Sequence, residues 1–301
     1  MRLNVYYDLK YAPATFDFGS YLVFCNAVRQ AMGIKSMGVT IVADQFRKLT
    51  IREKSTSEGA MKFRVRHILS KLPFLIPEVD SFNITTSPLK KIEFPSFPPS
   101  YPHVPNGPDP IPYGHPHLHQ FYGKKGINLR PFKAPEQAKF FVDNIFGDDV
   151  ITISLRTSHF QTERNSNLDE WYKVYQELKK LKFRPVVIPD FDDYMNDKHY
   201  DKYDWEIFLA ATFDIDLRLA LQEKAINNLA VNHGSGIPMV HSDCPYYMFK
   251  WVTESVRSTS AELHKYNFLM DYGDDLKFAA PNQHNIWETD DADIILKALN
   301  L

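Results

Sequence analysis

Residues 149–167 read DVITISLRTSHFQTERNSN, and this stretch decides the fold class. Val150 to Leu155 is a short, largely apolar, β-branched run, the pattern of a buried strand rather than a helix. It ends in Arg156 and opens into a polar loop that carries Arg164, Asn165, Ser166 and Asn167. Leu168, Trp171, Val174, Tyr175, Leu178 and Leu181 then recur at helical spacing, with Asn167 and Glu170 placed as a capping box. A strand, a basic residue, a polar loop and a helix start form the arrangement with which α/β proteins hold a pyrophosphate.

Downstream the same rhythm continues. Phe183 to Ile188 reads as a strand ending at Pro189 and Asp190. Asp216 is placed to cap a helix with Leu217, Ala220, Leu221 and Ala225 on its apolar face. Leu229 to Val231 is a strand running into Asn232-His233-Gly234-Ser235-Gly236. Glycines there permit close backbone approach, and successive N–H groups can form an anion nest; the alternative is a tight turn with no ligand. Met239 to His241 reads as a further strand, and Asp290 to Leu299 as a terminal helix. Three strand ends are therefore rich in polar groups: Arg156 to Asn165, Asp190 to Asp193, and Asn232 to Ser235. Ligands of open parallel sheets sit at such ends. Arg156 and Arg164 are the leading anion-binding candidates, since a guanidinium matches phosphate geometry. Their alternative is a solvated pair bonded to Glu163 or Asp169.

Upstream, Arg2 to Tyr7 reads as a strand, Thr15 to Met32 as a helix capped by Thr15 or Asp17, and Val39 to Val42 as a strand closing on Asp44. Val65, Ile68, Leu69 and Leu72 mark a helix stopped by Pro73, and Phe82 to Thr85 a third strand. This β-α-β-α-β order predicts a second parallel sheet. Ten of the chain's twenty prolines then fall between Pro88 and Pro116, where neither helix nor central strand is expected. The interleaved Tyr101, Tyr113, Phe121 and Tyr122 favour an ordered loop over residues 88–125 rather than a solvated linker. The predicted fold class is α/β, with two Rossmann-like domains, 1–135 and 136–301, facing a cleft.

Composition narrows the function classes. A net charge of −2 over 301 residues supplies no broad cationic field, so nucleic acid is not an expected partner. Two cysteines, Cys25 and Cys244, make no disulfide framework and read as buried reduced thiols. The first residues, MRLNVYYDLKY, read directly as a strand, and no apolar run approaches a membrane span. The expectation is a cytoplasmic protein with at most peripheral membrane contact. His115, His117 and His119 surround Pro116 with no accompanying carboxylate or cysteine cluster, so no metal is expected there. An imidazole of this segment could serve as an acid or base. Asp8 and Asp17 flank the first strand-to-helix turn, where a carboxylate could deprotonate a hydroxyl; a helix cap and a loop carboxylate are the plainer readings. There is no GxSxG, CxxC, HExxH, P-loop or GxGxxG motif.

With these residues in place, roughly residues 149–245 resemble the nucleotide-binding half of GT-B glycosyltransferases. ITISLRTS (151–158) and LRLALQEKAINNLAVNHGSG (217–236) are most similar to the fucosyltransferase-like branch, which includes the α1,6- and protein O-fucosyltransferases. In that branch a strand ends in a His-x-Arg-Arg-like motif whose arginine grips a nucleotide diphosphate. Arg156 matches the first arginine, while Ser154 stands at the histidine position and Thr157 at the second arginine. The resemblance implies sugar transfer from a nucleotide-sugar donor to a glycan or other hydroxyl acceptor, in surface glycan assembly, with neither metal nor cofactor. It implies donor binding by Arg156, Arg164, Asn165, Asp190, Asn232, His233, Gly234, Ser235 and Gly236. Catalysis would fall to Asp17 or Asp8 together with Arg156. Asp190-Phe191-Asp192 is then a strand-end loop near the base or ribose. The alternatives are a nucleotide-sugar 2-epimerase and a catalytically silent nucleotide- or glycan-binding module.

Overall fold

The computed structural model describes residues 1–43, 58–87, 89, 92–99, 114–191 and 199–301. Asp44, Tyr101, Tyr113, Asp192, Asp193 and much of the proline-rich stretch lie outside these residues. The chain divides into two units, Met1–Lys133 and Ala134–Leu301.

The first unit contains β1 (Arg2–Asp8), α1 (Asp17–Ala31), β2 (Ser36–Val42), α2 (Glu58–Arg64), β3 (Val79–Thr85), β4 (Ser96–Phe97) and α3 (His115–Leu118). Its sheet has the order β3-β2-β1-β4 with every pair parallel. Leu3, Val5 and Tyr7 of β1 are buried, as their period of two requires. α1 is apolar around most of its circumference, with Phe18, Tyr21, Leu22, Phe24 and Cys25 all buried, so it is a core helix rather than a surface one. Neither Thr15 nor Asp17 caps it. Phe16 occupies the cap position without a side-chain bond, and the Thr15 hydroxyl donates to Asp17 at 2.8 Å. Gly33, at φ +65°, ends the helix in the left-handed conformation glycine tolerates best.

Pro73 does not stop a helix over residues 65–72. α2 ends at Arg64, Val65–Leu69 form a wider π turn, and Pro73 stands in the opening turn of a 3₁₀ segment, Leu72–Leu75. Pro116 likewise sits in the first turn of α3, so the proline-rich stretch does contain a short helix. The reason is common to both: a first-turn N–H has no intrahelical partner, so proline loses nothing there. β4 in the same stretch is a sheet edge, the position proline-flanked strands tolerate.

The second unit contains α4 (Glu136–Asp143), β5 (Val150–Ser154), α5 (Leu168–Lys180), β6 (Arg184–Ile188), α6 (Ala210–Phe213), α7 (Ile215–Lys224), β7 (Asn227–Val231), α8 (Ile237–Val240), β8 (Tyr246–Phe249), α9 (Ala261–Phe268), β9 (Gln283–Asn285) and α10 (Ala292–Ala298). Five parallel strands run in the order β6-β5-β7-β8-β9. All five residues of β5 are buried; its Thr152 hydroxyl bonds Asn228 of β7 at 2.5 Å, while Ser154 Oγ, at its end, has no partner among the described residues. Residues 239–241 are not a strand. Met239 and Val240 belong to α8, because a parallel neighbour of β7 must be reached by a crossover, and β8 begins only at Tyr246.

Two caps differ from the sequence reading. Asp214, not Asp216, caps α7, accepting from Asp216 N at 2.8 Å and Leu217 N at 3.3 Å. Asn167 and Glu170 form no capping box. The Asn167 N–H donates to Asp290 at 2.7 Å, and Glu170 accepts from Ala292 N at 3.1 Å, so both residues tie the start of α5 to α10. No helix among the described residues is long and apolar enough to cross a membrane.

Trp171, Val174, Tyr175 and Leu178 form the buried face of α5 against Ile153, Leu229, Phe249 and Ile295. Gln176 lies on its exposed face. Leu178→Ala is expected to lower stability by about 3 kcal/mol, and Gln176→Ala by less than about 0.5 kcal/mol. Urea unfolding curves followed by tryptophan fluorescence check both, and equal shifts would refute the facing assigned to α5.

Candidate functional site

Because every strand of the second sheet is parallel, the loops that follow β5, β6, β7, β8 and β9 leave along one edge. Arg156, two residues past β5, is only 5% exposed. Its guanidinium donates to Gln161 O at 3.0 Å, to Phe160 O and to Asn165 Oδ1. Its own N–H and C=O close a pair of bonds with Ser166, at 2.9 and 2.8 Å. Asn165 Oδ1 also accepts from Ser158 N at 3.1 Å, and its amide donates back to Ser158 O at 2.9 Å. Arg156 is thus not a solvated surface arginine: the loop of residues 157–166 folds around it. Asp169, its suggested surface partner, bonds Lys202 and Tyr203, each at 2.8 Å.

Arg164 reaches further. It donates to Gln161 Oε1 and to the carbonyl of Asn232, both at 3.0 Å, and so joins the β5 loop to the end of β7. The Asn232 amide continues to Trp251 O at 2.9 Å, after β8. Lys250, held at φ +51°, donates to Asn165 O at 2.8 Å and pairs with Asp290 at 3.5 Å. Asp290, 1% exposed, also accepts from Asn167 N at 2.7 Å and Trp171 Nε1 at 2.9 Å. One bonded chain therefore runs from Arg156 through Asn165 and Lys250 to Asp290.

Gly234–Gly236 form a 3₁₀ turn that enters α8 directly. His233, 7% exposed, is bonded through Nδ1 to the Ser235 hydroxyl at 2.6 Å, and its Nε2 has no partner among the described residues. Burial first, then the charges of Arg218, Arg156 and Arg164, hold this imidazole well below the usual histidine range, so it is neutral. A Cβ at Gly236 would lie 3.1 Å from Met248 Cε and 3.9 Å from His233 Nε2, so a side chain there would crowd the floor of the turn.

Asp190, after β6, accepts from Thr157 N at 3.3 Å, and Tyr200 bonds both Thr157 Oγ1 at 3.0 Å and Asp190 N at 3.2 Å. Its charge, with Tyr200, acts on a residue that sequence reasoning passed over. Arg218 of α7 is 5% exposed, and its Nε and Nη2 have no partner among the described residues. Burial lowers its pKa to about 10, opposed by Asp190 and Tyr200, so it remains charged at neutral pH. The one signal in the sequence was a lone charge between Leu217 and Leu219, in the helix that leads to the glycine turn. The structure thus brings Arg156, Arg164, Asn165, Asp190, Asn232 and His233 to one edge, and adds Arg218 and Lys250.

The remaining candidates belong to the first unit. Asp8 ends β1 and accepts from Lys10 N at 2.8 Å, and Asp17 opens α1. His115 shares a hydrogen bond with the Ser20 hydroxyl of α1 at 2.8 Å. His117 accepts from Gly114 N at 3.2 Å, and His119 tilts against Tyr122. The three imidazoles have separate partners. Among the described residues no group of His, Cys, Asp or Glu side chains is arranged to hold a metal ion. Cys25 and Cys244 are buried free thiols.

No family model and no curated protein sequence matches this chain. Solved structures do. A glycosyl transferase family 9 structure from Veillonella parvula DSM 2008 is similar over 99% of this chain and 89% of its own, with TM-score 0.53 and 12% identity. Heptosyltransferase WaaC of E. coli with ADP is similar over 100% and 99%, with TM-score 0.49 and 10% identity. A UDP-GlcNAc 2-epimerase from Methanocaldococcus jannaschii is similar over 100% and 92%, with TM-score 0.41 and 11% identity. The first of these supports a statement of fold. The chain has the GT-B type of fold: two α/β units, each on a parallel sheet.

His264 of α9 stacks on Trp251 with ring centroids 5.2 Å apart and bonds its carbonyl at 2.8 Å. Burial brings its pKa down to about 4. A buried neutral histidine binds its proton more readily in the unfolded chain, so it costs stability as pH falls from about 6.5 towards 4. His233 acts in the same direction. Urea midpoints are expected to fall between pH 7 and 5, and His264→Phe to reduce that fall; an identical pH dependence in the variant would contradict the assignment.

Proposed function

We propose that this protein transfers a sugar from a nucleotide-sugar donor to a hydroxyl acceptor, and that the second unit holds the donor diphosphate. One observation carries the reading. Arg218 is buried and charged, with two donor nitrogens lacking partners among the described residues, beside the Arg156, Arg164 and His233 cluster. A desolvated guanidinium without an anion is costly, and its planar fork matches phosphate oxygens. A diphosphate supplies both the charge and the acceptors.

The roles divide accordingly. Arg218 and Arg164 grip the diphosphate. Arg156 and Asn165 fix the loop beside it, and Asn232 through Gly236 form its floor. Asp190 restrains Arg218 and sits towards the ribose or base. As the bond from the anomeric carbon to the diphosphate oxygen breaks, its electron pair goes to the diphosphate, where the arginines offset the charge without a metal. The acceptor oxygen bonds the anomeric carbon and gives up its proton to a general base; the carboxylate candidates for that base are Asp8, the last residue of β1, and Asp17, the first of α1. The motif order over residues 149–245 supports a place near the fucosyltransferase-like branch.

Titration calorimetry with GDP-, UDP- and ADP-sugars is expected to find a ligand among them. Arg218→Met should weaken it about 10- to 100-fold. A folded sample that binds none of them would remove the reading. Release or isomerisation of the sugar with donor alone would favour a 2-epimerase. Binding unchanged in Arg218→Met would take the diphosphate away from that residue.

A further inference from the structure

His233 is delivered by the end of β7 into a shell of positive charge. Arg218 faces it from α7, Arg156 from the end of β5 and Arg164 from the loop that follows; Asp190 and Tyr200 act on Arg218. Its Nδ1 is taken by Ser235, while Nε2, though buried, has no partner among the described residues. A buried ring nitrogen without a partner is uncommon and calls for an explanation. The three guanidinium groups disfavour a proton on this ring as long as no anion offsets them.

A diphosphate changes the sign of that argument. It places negative charge among the same arginines and offers oxygen atoms to any N–H that points at them. We propose that His233 takes up a proton when a nucleotide diphosphate binds, so that the complex contains an imidazolium whose Nε2–H bonds a phosphate oxygen. The lone pair of Nε2 accepts one proton from solvent for each complex formed. This rests on the donor reading above and deepens it, because it makes His233 a fourth cation of the leaving-group site, present only with ligand. Affinity then rises as pH falls through the range where the free ring is neutral and the bound ring is charged.

The test is calorimetry with GDP-mannose, UDP-glucose and ADP-glucose near pH 6.5, in buffers of different ionisation enthalpy. A nucleotide-sugar diphosphate is a diester with no group titrating near neutrality, so any proton exchanged belongs to the protein. For the probe that binds, the enthalpy should vary with the buffer in the sense of uptake, approaching one proton per complex. His233→Gln should still bind, weakened no more than about 10-fold, with that variation gone. Binding without buffer dependence, or with the same dependence in the variant, overturns this inference alone. Failure of all three probes to bind overturns it together with the donor reading. Should the variant not fold, nitrogen-15 spectra of the parent decide: one ring should change to the imidazolium pattern on adding ligand, and no change overturns the proposal.

Discussion

Arg156 cannot be buried at the end of a central strand unless its charge is answered, and the second unit is organised around that requirement. Desolvating a guanidinium costs several kcal/mol if its donors find no acceptors. Here the acceptors are carbonyls of its own loop and one asparagine side chain. A loop recruited in this way has little freedom left. The Asn165 carbonyl then receives Lys250, and Lys250 pairs with Asp290, which also takes the first N–H ahead of α5. The geometry of the candidate site therefore descends from one electrostatic demand, passed from β5 to the loops that follow β8 and β9.

Arg218 is the same side chain under the opposite condition. It is buried to the same degree, yet two of its nitrogens lack partners among the described residues. A low-dielectric surrounding strengthens whatever interaction it makes, and penalises its absence. The contrast separates two uses of arginine in one sheet. Arg156 builds the loop, and Arg218 is the group that the proposed function assigns to a ligand. Lys250 belongs with Arg156: its backbone is at positive φ, and its ammonium is bonded to Asn165 O and paired with Asp290.

The strand at 150–154, its arginine and the helix from 168 were legible because each carries a strong local pattern: a β-branched run, a polar break, then a stripe at helical spacing. The segment Met239 to His241 was not, because three apolar residues suit either element, and only the need for a crossover between parallel strands decides it. Asn167 and Glu170 have the spacing of a capping box, but tertiary partners on α10 and at Asp290 take their bonding groups first. β9 reads Gln283-His284-Asn285 and carries no apolar signal, so it is a strand by virtue of its neighbour β8. Arg218 was overlooked for a related reason. Sequence shows a charge on a helix but not the burial around it, and burial is what separates a solvated arginine from a ligand-seeking one.

A net charge of −2 and a site of several arginines are compatible because they concern different distances. The net charge sets the far field, which ionic screening reduces within about 10 Å and which bears on nonspecific partners. The cluster acts at contact range, where the burial of Arg156, Arg218 and His233 weakens ionic screening. Its positive charges repel one another, and a neutral His233 in their midst neither adds to that repulsion nor relieves it. Under the proposed function, an anion that meets several of these donors at once lowers that tension. A diphosphate is such an anion, whereas a macromolecular polyanion has its phosphates spaced along a chain. The composition that argues against nucleic acid thus leaves intact the local argument for a nucleotide.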